Sequence, residues 1–177
     1  RDRTIELSRR SAELDPLNHQ PYTVLTSAYY RSGRIDEAAD TLERILELNP
    51  DYPAVDMWRA RFARARSQPE AAREFSERLP DLGSRLYWRA LTDHAMGHEE
   101  AARESLEEYI ETFAARPMLI AEAFSFFGET DQAFEWLERA YDQHELELSR
   151  VKTEPLLTPL HADPRWPVFL EKMGLAD

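Results

Sequence analysis

Residues 22–50 read YTVLTSAYYRSGRIDEAADTLERILELNP, and this stretch decides the fold. Tyr22, Leu25 and Tyr29 recur at the spacing of one helix face, and Ala38, Leu42 and Ile45 do the same further on. Gly33 separates the two runs. Asn49-Pro50-Asp51-Tyr52-Pro53 stops the second, because proline carries no N–H and turns the preceding residue away from the helical region. The stretch is a helical hairpin. Apolar runs of the same kind, separated by short Gly, Pro or Asn/Asp turns, fill the rest of the chain. Sustained two-residue alternation is missing, so no strand is expected.

The hairpin repeats. Ala38, Ala71, Ala102 and Ala133 each stand near the start of a candidate second helix, at intervals of 33, 31 and 31 residues. Leu42, Phe75, Leu106 and Leu137 follow four positions later, and Tyr29, Phe62 and Phe124 stand nine positions before three of the alanines. Gly33, Gly97 and Gly128 keep the beat, with Ser67-Gln68-Pro69 in place of glycine in the odd repeat. Each choice has a physical reason. The alanine is small where two antiparallel helices cross, and the aromatic and aliphatic side chains fill the space beside the crossing. One such hairpin cannot bury its apolar face alone, so hairpins stack.

On these residues the chain resembles the tetratricopeptide repeat family. Tyr22-x2-Leu25-Thr26-x2-Tyr29, Ala38-x3-Leu42 and Pro50 match the family pattern except for Thr26 in place of glycine. Ile120-Ala121-x2-Phe124 with Ala133-x3-Leu137-x2-Ala140 is a second good match, and Trp58-Arg59-x2-Phe62 with Ala71-x3-Phe75 a degenerate one. The repeat near 84–114 fits through Tyr87, Ala90 and His94 with a one-residue slip. The resemblance implies an all-α solenoid. Its divisions are 1–16 (the second helix of a truncated repeat), repeats 17–50, 51–80, 81–116 and 117–144, and a cap at 145–177, as a piece of a longer protein.

Phe134 to Tyr141, Glu154 to Leu160, Asp163-Pro164-Arg165-Trp166 and Met173-Gly174-Leu175 are similar to the C-terminal ends of many bacterial repeat proteins. In those, repeats are often joined to a winged-helix regulatory domain, a nucleotidyl cyclase or a serine/threonine kinase. The segment reads as a capping helix. Asp163 is the expected N-cap and Pro164 the first helical residue. Trp166, Phe169, Leu170 and Met173 form its apolar stripe, and Gly174 ends it.

Composition narrows the function. The 177 residues are 42% hydrophobic and 32% charged, with no cysteine and a formal charge of −12. That charge opposes binding to nucleic acid or to an anionic membrane face. Without cysteine there is neither a disulfide nor a thiolate metal site. Arginine outnumbers lysine 20 to 2, a bias that fits a GC-rich bacterial genome. No apolar run reaches the ~20 residues of a membrane helix. The expected compartment is the cytoplasm, or the periplasm if a membrane-spanning segment lies upstream.

Candidate chemistry is thin. His94 and His98 have a metal-like spacing, but Gly97 ends the helix between them and no third ligand is placed. Glu99, Glu100, Glu104, Glu107, Glu108 and Glu111 fall on the polar positions of one helix and read as a solvated face. No Gly-rich phosphate loop or Gly-x-Ser-x-Gly elbow occurs. No catalytic residue, metal or cofactor is expected. Residues 54–78 carry six Arg against four acids, whereas 97–147 carry 14 acids against three Arg. Arg59, Arg61, Arg64 and Arg66 thus either pair with nearby Glu or form a positive segment for an acidic peptide.

The family resemblance implies that the first helices of successive hairpins line a concave face that holds ligand peptides. By position it points to Thr23, Ser27, Tyr30 and Arg31, to Ala60 and Arg64, to Tyr87 and Leu91, and to Glu122 and Phe126. Thr23 and Ser27 stand where chaperone-tail-binding members carry the Lys and Asn of a carboxylate clamp, so that clamp is not expected. The resulting expectation is a non-catalytic scaffold for a protein or peptide within a bacterial regulatory or signalling protein. The alternative is an effector-sensing or autoinhibitory module that binds a small ligand or its own output domain.

Overall fold

A computed structural model describes residues 2–113 and 116–176. Arg1 of the expected truncated repeat, Ala114 and Ala115 of the expected 81–116 repeat, and Asp177 lie outside the described residues. Among the described residues there are ten α-helices, two 3₁₀ segments and no strand. In chain order the helices are α1 (Asp2–Leu14), α2 (Gln20–Arg31), α3 (Ile35–Leu48), α4 (Val55–Ala65) and α5 (Pro69–Ser76). After them come α6 (Leu82–Ala95), α7 (Glu99–Phe113), α8 (Pro117–Phe126) and α9 (Thr130–Asp142). The 3₁₀ segments Leu146–Thr153 and Pro155–Ala162 precede α10 (Arg165–Lys172).

The hairpins turn at left-handed residues. Gly33, Gly97 and Gly128 have φ of +73°, +79° and +77°, and Ser67 takes the same place at +56°. The residue after each closes the helix by donating its N–H five positions back. The pairs are Arg34 to Tyr29, Gln68 to Ala63, His98 to Asp93 and Glu129 to Phe124, at 2.8–2.9 Å. The left-handed backbone disfavours a side chain by roughly 1–2 kcal/mol, so Ser67 is the strained member of the set.

The chain forms two compact units, Arg1–Pro80 and Asp81–Asp177. In the first, α2 packs on α3 and α4 on α5, α1 lies against α2, and α3 meets α4. Leu25, Tyr29, Tyr30, Leu42, Ile45, Trp58 and Phe62 make one core there, joined by Ile5 of α1. In the second, α6 packs on α7 and α8 on α9, with α8 against both α6 and α7. These are stacked helical hairpins, the all-α architecture the repeat spacing predicts.

One register differs from the expectation. Ala38, Ala102 and Ala133 are fully buried at the crossings, but in the odd repeat the fully buried alanine is Ala72 and Ala71 is half-exposed. The reason lies at the helix start. Ala38, Ala72, Ala102 and Ala133 are each the fourth residue of their helix, and Pro69 fixes where α5 begins. Ser76, not Phe75, then occupies the buried position four residues on. Phe75 is half-buried beneath the guanidinium groups of Arg59 and Arg78.

The tail closes the second unit. The second 3₁₀ segment lies along α8, where Ser125 Oγ donates to the Leu156 carbonyl at 2.7 Å, and α10 packs on that segment. Trp166, Phe169 and Leu170 are buried and Met173 half-buried, and Gly174 ends the helix at φ +69°. The helix begins one residue later than expected. Pro164 is its cap, and Asp163 accepts the Arg165 N–H at 2.9 Å from just outside. Arg165 bridges Asp163 and Asp131, and its hydrogen bonds hold the Asp163 carboxyl down at about 2.

Candidate ligand faces on the first helices

In the first unit, Thr23, Ser27 and Arg31 follow one another by four along α2 and are half-buried. Tyr30 was expected to offer its ring to a ligand, but it is only 3% exposed. The ring is packed edge-on to Trp58 at 5.8 Å and beside Phe62 at 6.4 Å, both on α4. Its phenol oxygen accepts a hydrogen bond from Arg64 Nη2 at 2.5 Å. Ala60, also expected on the face, is fully buried, being small where α4 is enclosed by its neighbours. Arg61, which the sequence placed only in a basic run, lies over the Trp58 and Tyr30 rings at 5.1 and 5.7 Å. No carboxylate among the described residues pairs with it. By contrast Arg66 meets Asp36 at 2.7 Å and Arg59 approaches Glu43 at 3.9 Å. The basic run is thus divided, with part neutralised and part stacked on aromatic rings.

A cleft of about 490 Å³ opens over α2 between α1 and α3, lined by Arg9, Glu13, Tyr22, Tyr29, Asp40 and Arg44 among others. The sequence offered no signal for it, because α1 enters the fold through one buried Ile and one buried Ala.

In the second unit, Tyr87, Leu91 and Glu122 are all buried, where an accessible face was expected. Helix α6 is enclosed by α7 on one side and α8 on another, which removes Leu91 from any surface. Tyr87 packs against Trp88 and Tyr109, and its hydroxyl donates to Glu122 Oε2 at 3.1 Å, so the structure brings these two expected residues together. Phe126 remains half-buried, with its ring 5.5 Å from that of His94.

A carboxylate as buried as Glu122 requires a counter-charge. Arg150 of the first 3₁₀ segment supplies it, with Nη2 3.3 Å from Glu122 Oε1 and Nε 3.5 Å from Glu154. Burial acts to lower the Arg150 pKa, but the two carboxylates outweigh it and the group is held charged. Glu145 caps α8 from a distance by accepting the Met118 N–H at 2.8 Å. Its own pKa is raised, because burial outweighs that hydrogen bond. Beneath them the Tyr109 hydroxyl is buried with no hydrogen-bond partner among the described residues. Burial pushes its pKa up to about 12, against the pull of Arg116 and with added push from Glu145, Glu122 and Asp81.

Sequence reasoning missed Arg150 and Glu145. A signal existed. Glu122 interrupts the apolar run Met118 to Phe127, and Arg150 is the first cation after Arg139 able to answer it.

His94 and His98 turn to separate carboxylates. His94 Nδ1 lies 3.0 Å from Glu99 and its ring stacks on Phe127, while His98 Nδ1 lies 3.5 Å from the buried Asp93. Among the described residues no group of three His, Cys, Asp or Glu is placed to hold a metal. The carboxylates of α7, from Glu99 to Glu111, are solvent-exposed. No described helix is long and apolar enough to cross a membrane.

Helical hairpins stacked with alanine at each crossing define a helical-repeat protein. The family model for the tetratricopeptide repeat matches residues 2–62 and again 29–93, together just over half of the chain, and the chain belongs to the tetratricopeptide repeat family. Repeats of this family serve as scaffolds for protein and peptide partners. No curated protein matches the chain.

Proposed function

We propose that this chain is a non-catalytic scaffold that takes a protein or peptide segment along its first helices. In the first unit the face is Thr23, Ser27 and Arg31 of α2 with Arg64 of α4, and Arg61 is added to it. The observation that carries this is the aromatic floor with its stacked cation. Arg61 lies over the Tyr30 and Trp58 rings without a carboxylate partner, so its charge is available to an acidic segment, and the rings beneath hold it in place. Phe126 offers a half-buried ring on α8 of the second unit.

The arginine bias and the resemblance of the tail support a bacterial regulatory or signalling protein as the setting.

The test takes partners captured from the native host and measures each by surface plasmon resonance at two ionic strengths. Arg61→Glu is expected to slow association and to flatten its salt dependence, with circular dichroism still helical. Unchanged association in that variant would place the binding surface elsewhere.

A further inference from the structure

The polar cluster of the second unit has the geometry of a receptor filled from within. Glu122 is 2% exposed and sits on a first helix, where the proposed function places ligands. One of its oxygens is set by the Tyr87 hydroxyl, a donor fixed by its packing between Trp88 and Tyr109. The other takes a guanidinium, and that guanidinium is the chain's own.

Arg150 is a poor fit for the place it holds. A charge-assisted guanidinium–carboxylate bond runs about 2.7–2.9 Å and favours two parallel donors. Arg150 reaches Glu122 with one nitrogen at 3.3 Å, and its Nε makes no hydrogen bond, with Glu154 at 3.5 Å. The element that delivers it is a 3₁₀ segment, whose internal hydrogen bonds are weaker than those of an α-helix. The segment is fixed by the buried side chains of Leu148 and Val151, by Glu147 to Arg116 at 3.4 Å and by Arg150 itself, with Glu145 just before it on the Met118 N–H.

The surrounding charge selects the competitor. Residues 81–177 hold 20 acids against nine bases, whereas residues 1–80 hold 14 against 13. An acidic ligand is repelled from the second unit and a basic one is attracted.

We propose that Tyr87 and Glu122 form a guanidinium receptor held closed in cis by Arg150, and that its ligand is a basic segment presenting an arginine in Arg150's place. This rests on the reading of the first helices as the ligand face. A partner captured through the first unit could fail to respond to Arg61→Glu while the receptor still behaves as described, so the two are judged by separate measurements.

The test uses the full chain and a capped synthetic peptide with the acid-free sequence of residues 148–152, Leu-Ser-Arg-Val-Lys. A second peptide carries citrulline in place of arginine, with the same shape and no charge. In calorimetric titrations the Arg150→Ala chain is expected to bind the arginine peptide at least about tenfold more tightly than the wild-type chain does. The citrulline peptide is expected to bind neither, and adding Glu122→Gln to Arg150→Ala should abolish binding. Equal affinity of the wild-type and Arg150→Ala chains would overturn the proposal, as would equal affinity of the two peptides. If Arg150→Ala loses its helical circular dichroism, Arg150→Lys replaces it under the same criteria, since lysine keeps the charge but not the fork.

Discussion

The guanidinium of Arg64 on α4 donates to the phenol oxygen of Tyr30 on α2 over 2.5 Å, tying together the first helices of two consecutive hairpins. The bond changes what a substitution at Tyr30 reports. Tyr30→Ala removes a buried ring that touches Trp58 and Phe62. It should cost about 3–5 kcal/mol of stability rather than act on a ligand alone. Tyr30→Phe keeps the ring and should cost about 1 kcal/mol. Chemical denaturation of the two variants checks the order, and equal losses would mean that the ring is not a core element.

Ala72→Leu should destabilise by about 1–3 kcal/mol through overpacking at the α4–α5 crossing. Ala71→Leu, one residue away, should stay within about 0.5 kcal/mol. Thermal melts of the pair separate the observed register from the one that simple repeat counting suggests.

That slip shows how far the sequence is legible. The hairpins, their turns and three of the crossing alanines follow from spacing alone, because helix packing demands a small residue there. Ala71 and Ala72 are identical in size, so only the start of α5 distinguishes them. Pro69 marks that start, because proline favours the first helical position. How far each residue of the expected face stays exposed was not legible. Thr23, Ser27, Arg31, Arg64 and Phe126 keep some exposure, whereas Tyr30, Ala60, Tyr87, Leu91 and Glu122 are buried. First-helix position specifies a direction around the helix axis. It does not say how closely the next element covers that direction.

Tyr109 should ionise above the ordinary range of a tyrosine. Its folded pKa of about 12 lies above the ordinary value of 10.0, so the neutral phenol is favoured in the fold. The associated stability is fully present below pH 10 and is lost as pH rises toward and through 12. Absorbance titration at ~295 nm should show a late step that is missing in Tyr109→Phe. At neutral pH the variant should be as stable as the wild type or slightly more so, since it removes a buried hydroxyl that makes no hydrogen bond. Loss of more than about 1 kcal/mol would reveal a partner for that hydroxyl.

The end of the chain should behave as part of the fold. Trp166 is buried on α10 and stacks on His161 at 4.5 Å, while Val168 on the same helix is exposed. Trp166→Ala should cost about 3–5 kcal/mol, and Val168→Ala should stay within about 0.5 kcal/mol. Similar melts for both would make the tail an appendage.

The proposed ligand face lies on the first helix of each hairpin. Hydrogen–deuterium exchange of the full chain, alone and saturated with a partner captured from the native host, tests it most directly. Bound partner should add protection in α2 and α4, or in α6 and α8, with α3, α5, α7 and α9 unchanged. Protection confined to the second helices, above all to the carboxylate face of α7, would contradict it.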